Sequence, residues 1–260
     1  MPLKTVSGKH ADPRKGRGAG INPEGRFETV GREAFDDGWE RQEEELPPLK
    51  THVTAERVTS IISRNDSPDI PFTQSINPYQ GCEHGCVYCY ARPTHAYRNL
   101  SPGIDFETRL FAKVNAAAKL REELSRTGYR CEVISIGANT DPYQPIEREW
   151  KITRGILEVC ASFNQPVGIV TKNAMVERDL DLLAPMARKG LANVFVSVNN
   201  LDPELARRME PRCSAPARRL QAIQAVSAAG VPVGVLVAPV VPFLNDHQIE
   251  AVLEAAWEHG

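Results

Sequence analysis

Apolar positions recur along this chain in two alternating periods. Short runs of β-branched and aliphatic residues predict strands at Thr73–Asn77, Cys131–Gly137, Val167–Thr171, Asn193–Val198 and Pro232–Ala238. Between and after them, apolar residues spaced three and four apart predict helices over Asn115–Arg126, Lys151–Phe163, Glu177–Arg188, Ala215–Ala229 and Asp246–Glu258. Gly190 and Gly230 follow two of these helices where a left-handed C-cap is needed. Asp246 is placed to N-cap the last. Strands and helices in this alternation give parallel βα units, so the fold class is α/β, as an open sheet or a curled barrel. The strands are short and apolar, as in a sheet covered on both faces. The last helix reaches almost to Gly260 with no strand after it. That predicts a chain truncated at its C-terminus, short of a closing strand.

Ahead of this region the pattern changes twice. Residues 1–48 are rich in Gly, Pro, Arg, Lys and Glu, include the charge-dense stretch Trp39–Glu45, and hold no sustained apolar period. They read as a disordered arm whose Lys4, Lys9, Arg14, Lys15 and Arg17 form a solvated basic tail. Residues 49–72 carry β-branched positions up to Ile62 and then an Asn65-Asp66-Ser67-Pro68 turn signal, which predicts a β lead-in. The main domain is expected over 73–260.

Composition narrows the class without choosing a function. The chain has 260 residues, 42% hydrophobic and 25% charged, enough for one sizeable core. A formal charge of -2 and a pI near 6.3 give no global basic field, so nucleic acid is a possible partner that the charge does not support. No apolar run is long enough to span a bilayer, and the N-terminal residues do not resemble a signal peptide. The expected location is cytoplasmic, with no membrane partner.

Three of the six cysteines, Cys82, Cys86 and Cys89, fall within eight residues at C-x3-C-x2-C spacing, directly after a predicted strand. The other three, Cys131, Cys160 and Cys213, are scattered, which argues for a metal or redox centre over a disulfide framework. Three thiolates on a [4Fe-4S] cube leave the fourth iron without a protein ligand. Gly81 and Gly85 permit the tight backbone path such a loop requires. The competing reading is a structural zinc knuckle on an α/β scaffold, with His84 or His95 as fourth ligand. A redox pair of Cys86 and Cys89 leaves Cys82 without a role. A cluster serving only electron transfer or sensing does not require a vacant iron.

The cysteine loop, with Tyr88 before its last Cys, resembles the radical S-adenosylmethionine (SAM) superfamily, and the string Asn77–Ala91 is similar to its spore photoproduct lyase-related branch. Weaker similarity continues through Asn139–Pro145, Thr171-Lys172, Arg178-Asp179, Glu210-Pro211-Arg212 and Ala238–Pro242 to Asn245-Asp246, covering about residues 70 to 260. The resemblance implies a partial (βα)6, TIM-like barrel and an enzyme with two cofactors. Cys82, Cys86 and Cys89 would hold a [4Fe-4S] cluster, and SAM would chelate its open iron. Reductive cleavage would give methionine and a 5'-deoxyadenosyl radical that abstracts hydrogen from a substrate the motif does not specify. An electron donor such as flavodoxin or ferredoxin is implied as well.

By the same resemblance, Tyr88 lies beside the cluster, near the adenine of SAM. Asn139, Thr140 and Asp141, after a predicted strand, are candidates for its amino and ribose groups, with turn formation as the alternative. Lys172 and Ser197 stand at two further strand ends, suited to a carboxylate and to a hydrogen bond. Arg212 and its neighbours Arg207, Arg208, Arg218 and Arg219 read as a solvated basic face. Cys131 and Cys160 read as buried structural thiols. The lyase branch also implies a hydrogen-donating cysteine near the strand after the cluster loop, where Cys131 is the one candidate.

Overall fold

The alternation in Val167–Thr171 organises the molecule. In the computed structural model, which describes residues 16–27 and 49–260, Val167, Ile169 and Thr171 are buried while Gly168 and Val170 are half-buried. One side of the strand meets helices, and the other faces a cavity. The strands in chain order are β1 (His52–Glu56), β2 (Ser63–Arg64), β3 (Gln74–Ile76), β4 (Tyr79–Gln80), β5 (Arg109–Lys113), β6 (Ile134–Ile136), β7 (Val167–Thr171), β8 (Ala192–Ser197) and β9 (Val233–Leu236). The central sheet has the order β2-β3-β6-β7-β8-β9. From β3 to β9 every pairing is parallel, and only the short edge strand β2 runs antiparallel. The sheet does not close, so the fold is a partial barrel of the expected α/β class.

The helices are α1 (Asp105–Thr108), α2 (Ala116–Leu124), α3 (Glu147–Trp150), α4 (Ile152–Phe163), α5 (Leu180–Ala187), α6 (Pro203–Met209), α7 (Pro216–Ala228) and α8 (Ile249–Glu258). Five correspond to the predicted helical periods. Helix α4 buries Ile152, Ile156, Leu157, Val159 and Cys160 against the sheet, each large aliphatic contributing roughly 1.5–3 kcal/mol of burial. Gly190 and Gly230 adopt φ of 71° and 75°, as their C-terminal positions require. Helix α6 is too short for its period to register, but Pro203 at its first turn and the Asp202 carboxylate, which accepts from Glu204 N and Leu205 N, start it.

Several expectations change. The strand predicted at Cys131–Gly137 contracts to Ile134–Ile136, leaving Cys131 before the sheet and exposed instead of buried. Asp246 opens a 3-10 turn, Asp246–Gln248, and the residue at the N-cap of α8 is Gln248, so Asp246 does not cap α8. The helix over Glu177–Arg188 is divided into a 3-10 segment, Ala174–Asp179, and α5. Among the described residues, the inner face of the sheet opens on a cavity instead of packing under a helix. Gly234 lies under the Phe195 ring, and Val170 and Leu236 line the cavity.

The β lead-in is divided between two sheets: β2 is the edge strand of the central sheet, and β1 belongs to a separate three-stranded sheet. Strand β1 pairs in parallel with β5, and β4 pairs antiparallel with β5 on its other side. Most of the arm expected over 1–48 lies outside the described residues. Within 16–27, Arg17 is buried, whereas the sequence placed it in a solvated tail. Its guanidinium donates to Glu107 O, Leu49 O and Thr51 Oγ1 at 2.9, 2.7 and 3.0 Å. Those three acceptors replace the water it gives up.

Candidate functional site

The loop from Gly81 to Cys89 follows β3 and β4 and turns back across the C-terminal ends of the parallel strands, where ligand groups gather in such sheets. Gly81 and Gly85 supply its two left-handed turns, with φ of 76° and 67°. Cys82 N donates to Phe106 O at 2.9 Å. Gln144 clamps the loop from beneath, accepting from Glu83 N at 2.9 Å and donating to Gly81 O at 3.1 Å. Arg92 fixes the far side, donating to Cys86 O from Nε and Nη2 at 3.2 and 2.9 Å.

Cys82, Cys86 and Cys89 are unpaired thiols that line one cavity of about 400 Å³. Among the described residues no three His, Cys, Asp or Glu side chains converge on a single-ion site, the arrangement a closed Cys3His zinc knuckle requires. A cubane takes each thiolate on a different iron, and three thiols around a shared cavity suit it. Of the two zinc-ligand candidates, His84 lines the cavity, whereas His95 lies away from it, with Nε2 2.9 Å from Arg109 O and its ring edge-on to Phe106.

Tyr88, Asn139, Asp141, Lys172 and Ser197 reach the same cavity wall, and Thr140 does not. Thr140 is buried and its hydroxyl donates to Tyr79 O at 2.8 Å. The Asp141 oxygens are taken internally: Oδ1 accepts from Tyr143 N and Thr171 Oγ1, both at 2.8 Å, and Oδ2 accepts from Lys172 N at 2.7 Å. His84 Nδ1 stands 3.4 Å from Asp141 Oδ2 without a well-formed hydrogen bond. Burial opposes ionisation of Asp141, but the neighbouring His84 together with the hydrogen bonds from Lys172 N and Thr171 Oγ1 outweighs it and holds the carboxyl below the usual range. The segment Asn139–Pro145 is thus both a turn and a brace. Asn77 Oδ1 accepts from Asn139 N and Thr140 N, and Gln144 holds the cysteine loop.

Sequence reading missed the group beneath Tyr88. The Tyr88 hydroxyl donates to the buried Glu210 carboxylate, and Arg219 donates to the other carboxylate oxygen. Lys172 Nζ lies 3.5 Å from Glu210 Oε1 and 5.7 Å from the Tyr88 ring centroid. Arg219 also donates to Ser197 O at 2.8 Å, so one buried guanidinium ties two cavity residues together. It is no solvated basic face; the run of arginines concealed it. Arg212 sits beside Glu83 at 3.2 Å. Cys213 was a loop thiol of no assigned role, and its Sγ stands 3.8 Å from Cys86 Sγ. The Glu210-Pro211-Arg212 segment before it was the available signal.

Comparison with known proteins follows from this geometry. A family model described as "Radical SAM superfamily" matches residues 76–256. The uncharacterized protein Rv2578c of Mycobacterium tuberculosis is 44% identical over 177 residues, 68% of this chain and 52% of that protein. The uncharacterized protein MJ0683 of Methanocaldococcus jannaschii is 27% identical over 174 residues, 66% of this chain and 61% of its own length. The chain therefore spans about half the length of the mycobacterial relative. Among solved structures, a tyrosine-to-phenylalanine variant of spore photoproduct lyase aligns with a TM-score of 0.60 at 18% identity, over 80% of this chain and 57% of that one. Spore photoproduct lyase complexed with dinucleoside spore photoproduct aligns with a TM-score of 0.56 at 18% identity, over 79% and 55%. At these identities the shared feature is the fold.

Proposed function

This chain belongs to the radical SAM superfamily, and from that footing we propose that Cys82, Cys86 and Cys89 bind a [4Fe-4S] cluster at which SAM is reductively cleaved to start hydrogen abstraction from a substrate. The observation that carries the reading is the convergence of three unpaired thiols on one cavity at the C-terminal ends of the parallel strands. When bound, the cluster supplies the electron that breaks a carbon–sulfur bond of SAM.

The chain's own residues position and enclose. Asn139 and Ser197 offer polar contacts to the SAM amino acid and ribose groups, and Lys172 offers a cation to its carboxylate. Tyr88 presents its ring at the adenine end while its hydroxyl stays committed to Glu210. Thr140 and Asp141 serve this site by holding the Tyr79 carbonyl, the Thr171 hydroxyl and the Lys172 amide. Val170, Leu236, Ala238 and Pro239 form an apolar wall that keeps water from the reacting centre. The chemistry needs a reductant and a substrate, and a flavodoxin or ferredoxin fits the first. Cys131, the hydrogen-donor candidate implied by the lyase resemblance, is exposed and does not line the cavity. The photoproduct-lyase reaction is therefore not the reading adopted.

The test is anaerobic reconstitution with iron and sulfide, reduction with dithionite in the presence of SAM, and assay for 5'-deoxyadenosine. Product from the parent chain and none from Cys82→Ala, Cys86→Ala or Cys89→Ala is the expected result. A parent chain that binds zinc, takes up no iron and yields no product overturns the proposal.

A further inference from the structure

The back of the cysteine loop is closed by a segment that contributes nothing to the cavity. Gly18 lies directly on Gly85: a Cβ added at Gly18 would fall inside the Gly85 carbonyl, and one added at Gly85 would meet Glu107 Oε2 at 2.8 Å and Gly18 N at 3.2 Å. Two backbones touch here because neither carries a side chain. Gly85 is the residue before Cys86, so displacement of the contact is transmitted to that thiol.

The buried Glu107 carboxylate is the joint of this assembly. It accepts from Gly18 N at 3.0 Å and Ala19 N at 2.9 Å, and it pairs with Arg92 at 2.6 Å. Arg92 in turn holds the Cys86 carbonyl. Arg17 donates to the Glu107 carbonyl and, through Thr51, reaches the other flank, since the Thr51 hydroxyl donates to Glu83 within the cysteine loop. Further along, Ile21 O accepts from Ile104 N at 3.1 Å, and Asn22 exchanges hydrogen bonds with Asp105. The segment is tied at Arg17 on one side of its contact with the loop and at Ile21 and Asn22 on the other.

We propose that residues 16–27 form a strap that holds the cluster-binding loop in place from behind, with Arg17, Gly18 and Glu107 as positioning residues for Cys86. The inference rests on the reading of Cys82, Cys86 and Cys89 as cluster ligands. Hydrogen bonds around a ligand loop orient its ligands, and loss of such supports typically costs about 10–100-fold in metal affinity or activity.

The experiment compares the full parent chain with Gly18→Val, both reconstituted and then challenged anaerobically with excess EDTA while the visible iron–sulfur absorption is followed. Thermal unfolding of the cluster-free forms is measured alongside. Gly18→Val is expected to lose absorption about 10-fold faster or more, while its cluster-free form still unfolds in one cooperative transition. Equal rates of loss in two loaded proteins overturn the strap and leave the cluster reading intact. A parent that takes up no iron overturns both. Should Gly18→Val fail to fold, Arg17→Met decides: it keeps the stem of the side chain and removes the donors that tie the strap down. Parent-like retention in that variant overturns the inference.

Discussion

Arg219 donates a hydrogen bond to Glu210 with both side chains sealed from solvent, at 1% and 0% exposure. The pair lies under Tyr88 and beside Lys172, two residues of the cavity wall, so it supports the candidate site without entering it. Removing one member of such a pair strands the other's charge in the interior. Arg219→Ala is expected to destabilise the chain by about 3–5 kcal/mol, read from urea unfolding of the cluster-free protein. A loss below about 1 kcal/mol, the range of an exposed pair, would contradict the arrangement.

The same carboxylate sets a pH dependence. Burial opposes ionisation of Glu210, but Arg219 and then Lys172 outweigh it and hold its carboxyl below the ordinary value of 4.5. With the folded value depressed, the unfolded chain binds a proton first as pH falls. The stabilisation is therefore complete above the unfolded pKa and is lost as pH falls through the folded one. Unfolding free energy of the parent should decline below about pH 4.5 more steeply than that of Glu210→Gln. Parallel slopes would remove Glu210 from the account.

Asp141 braces the cavity rim by accepting from Tyr143 N, Thr171 Oγ1 and Lys172 N. Asp141→Ala leaves these part-buried donors unpaired, at an expected cost of about 1–3 kcal/mol. Asp141→Asn retains one acceptor oxygen and should recover part of the loss. Denaturant midpoints of the two variants check the order, and Asp141→Ala as stable as Asp141→Asn would contradict it.

Two scattered cysteines now separate by environment. Cys131 is exposed, whereas Cys160 is buried in α4 with its thiol pushed up to about 12 by desolvation. Iodoacetamide on the native chain should modify Cys131 and spare Cys160 until denaturant is added. Mass mapping of the alkylated peptides checks this, and early modification of Cys160 would show that the packing of α4 is wrong.

The parts legible in the sequence are those with a local signal. Strand β7 is legible with its observed ends because Val167, Ile169, Val170 and Thr171 form a β-branched run broken only by Gly168. The three thiols were legible from spacing alone. The β1–β5 pairing was not, since His52 and Arg109 meet across a long stretch of chain and neither strand carries a strong apolar alternation. The burial of Arg17 was not legible because Gly- and Arg-rich composition suggests solvation. Their attachment uses backbone amides and one buried guanidinium, which composition does not record. Arg219 was concealed in the same way, one buried member of an arginine run.

The central claim is that three thiols, and only three, hold a cluster whose remaining iron is open to SAM. The direct measurement is the electron paramagnetic resonance spectrum of the dithionite-reduced, reconstituted chain, recorded with and without SAM. The account predicts a reduced-cluster signal that changes when SAM is added and is lost in Cys82→Ala, Cys86→Ala and Cys89→Ala. A full-strength signal indifferent to SAM, or one that survives loss of any of these cysteines, would contradict it.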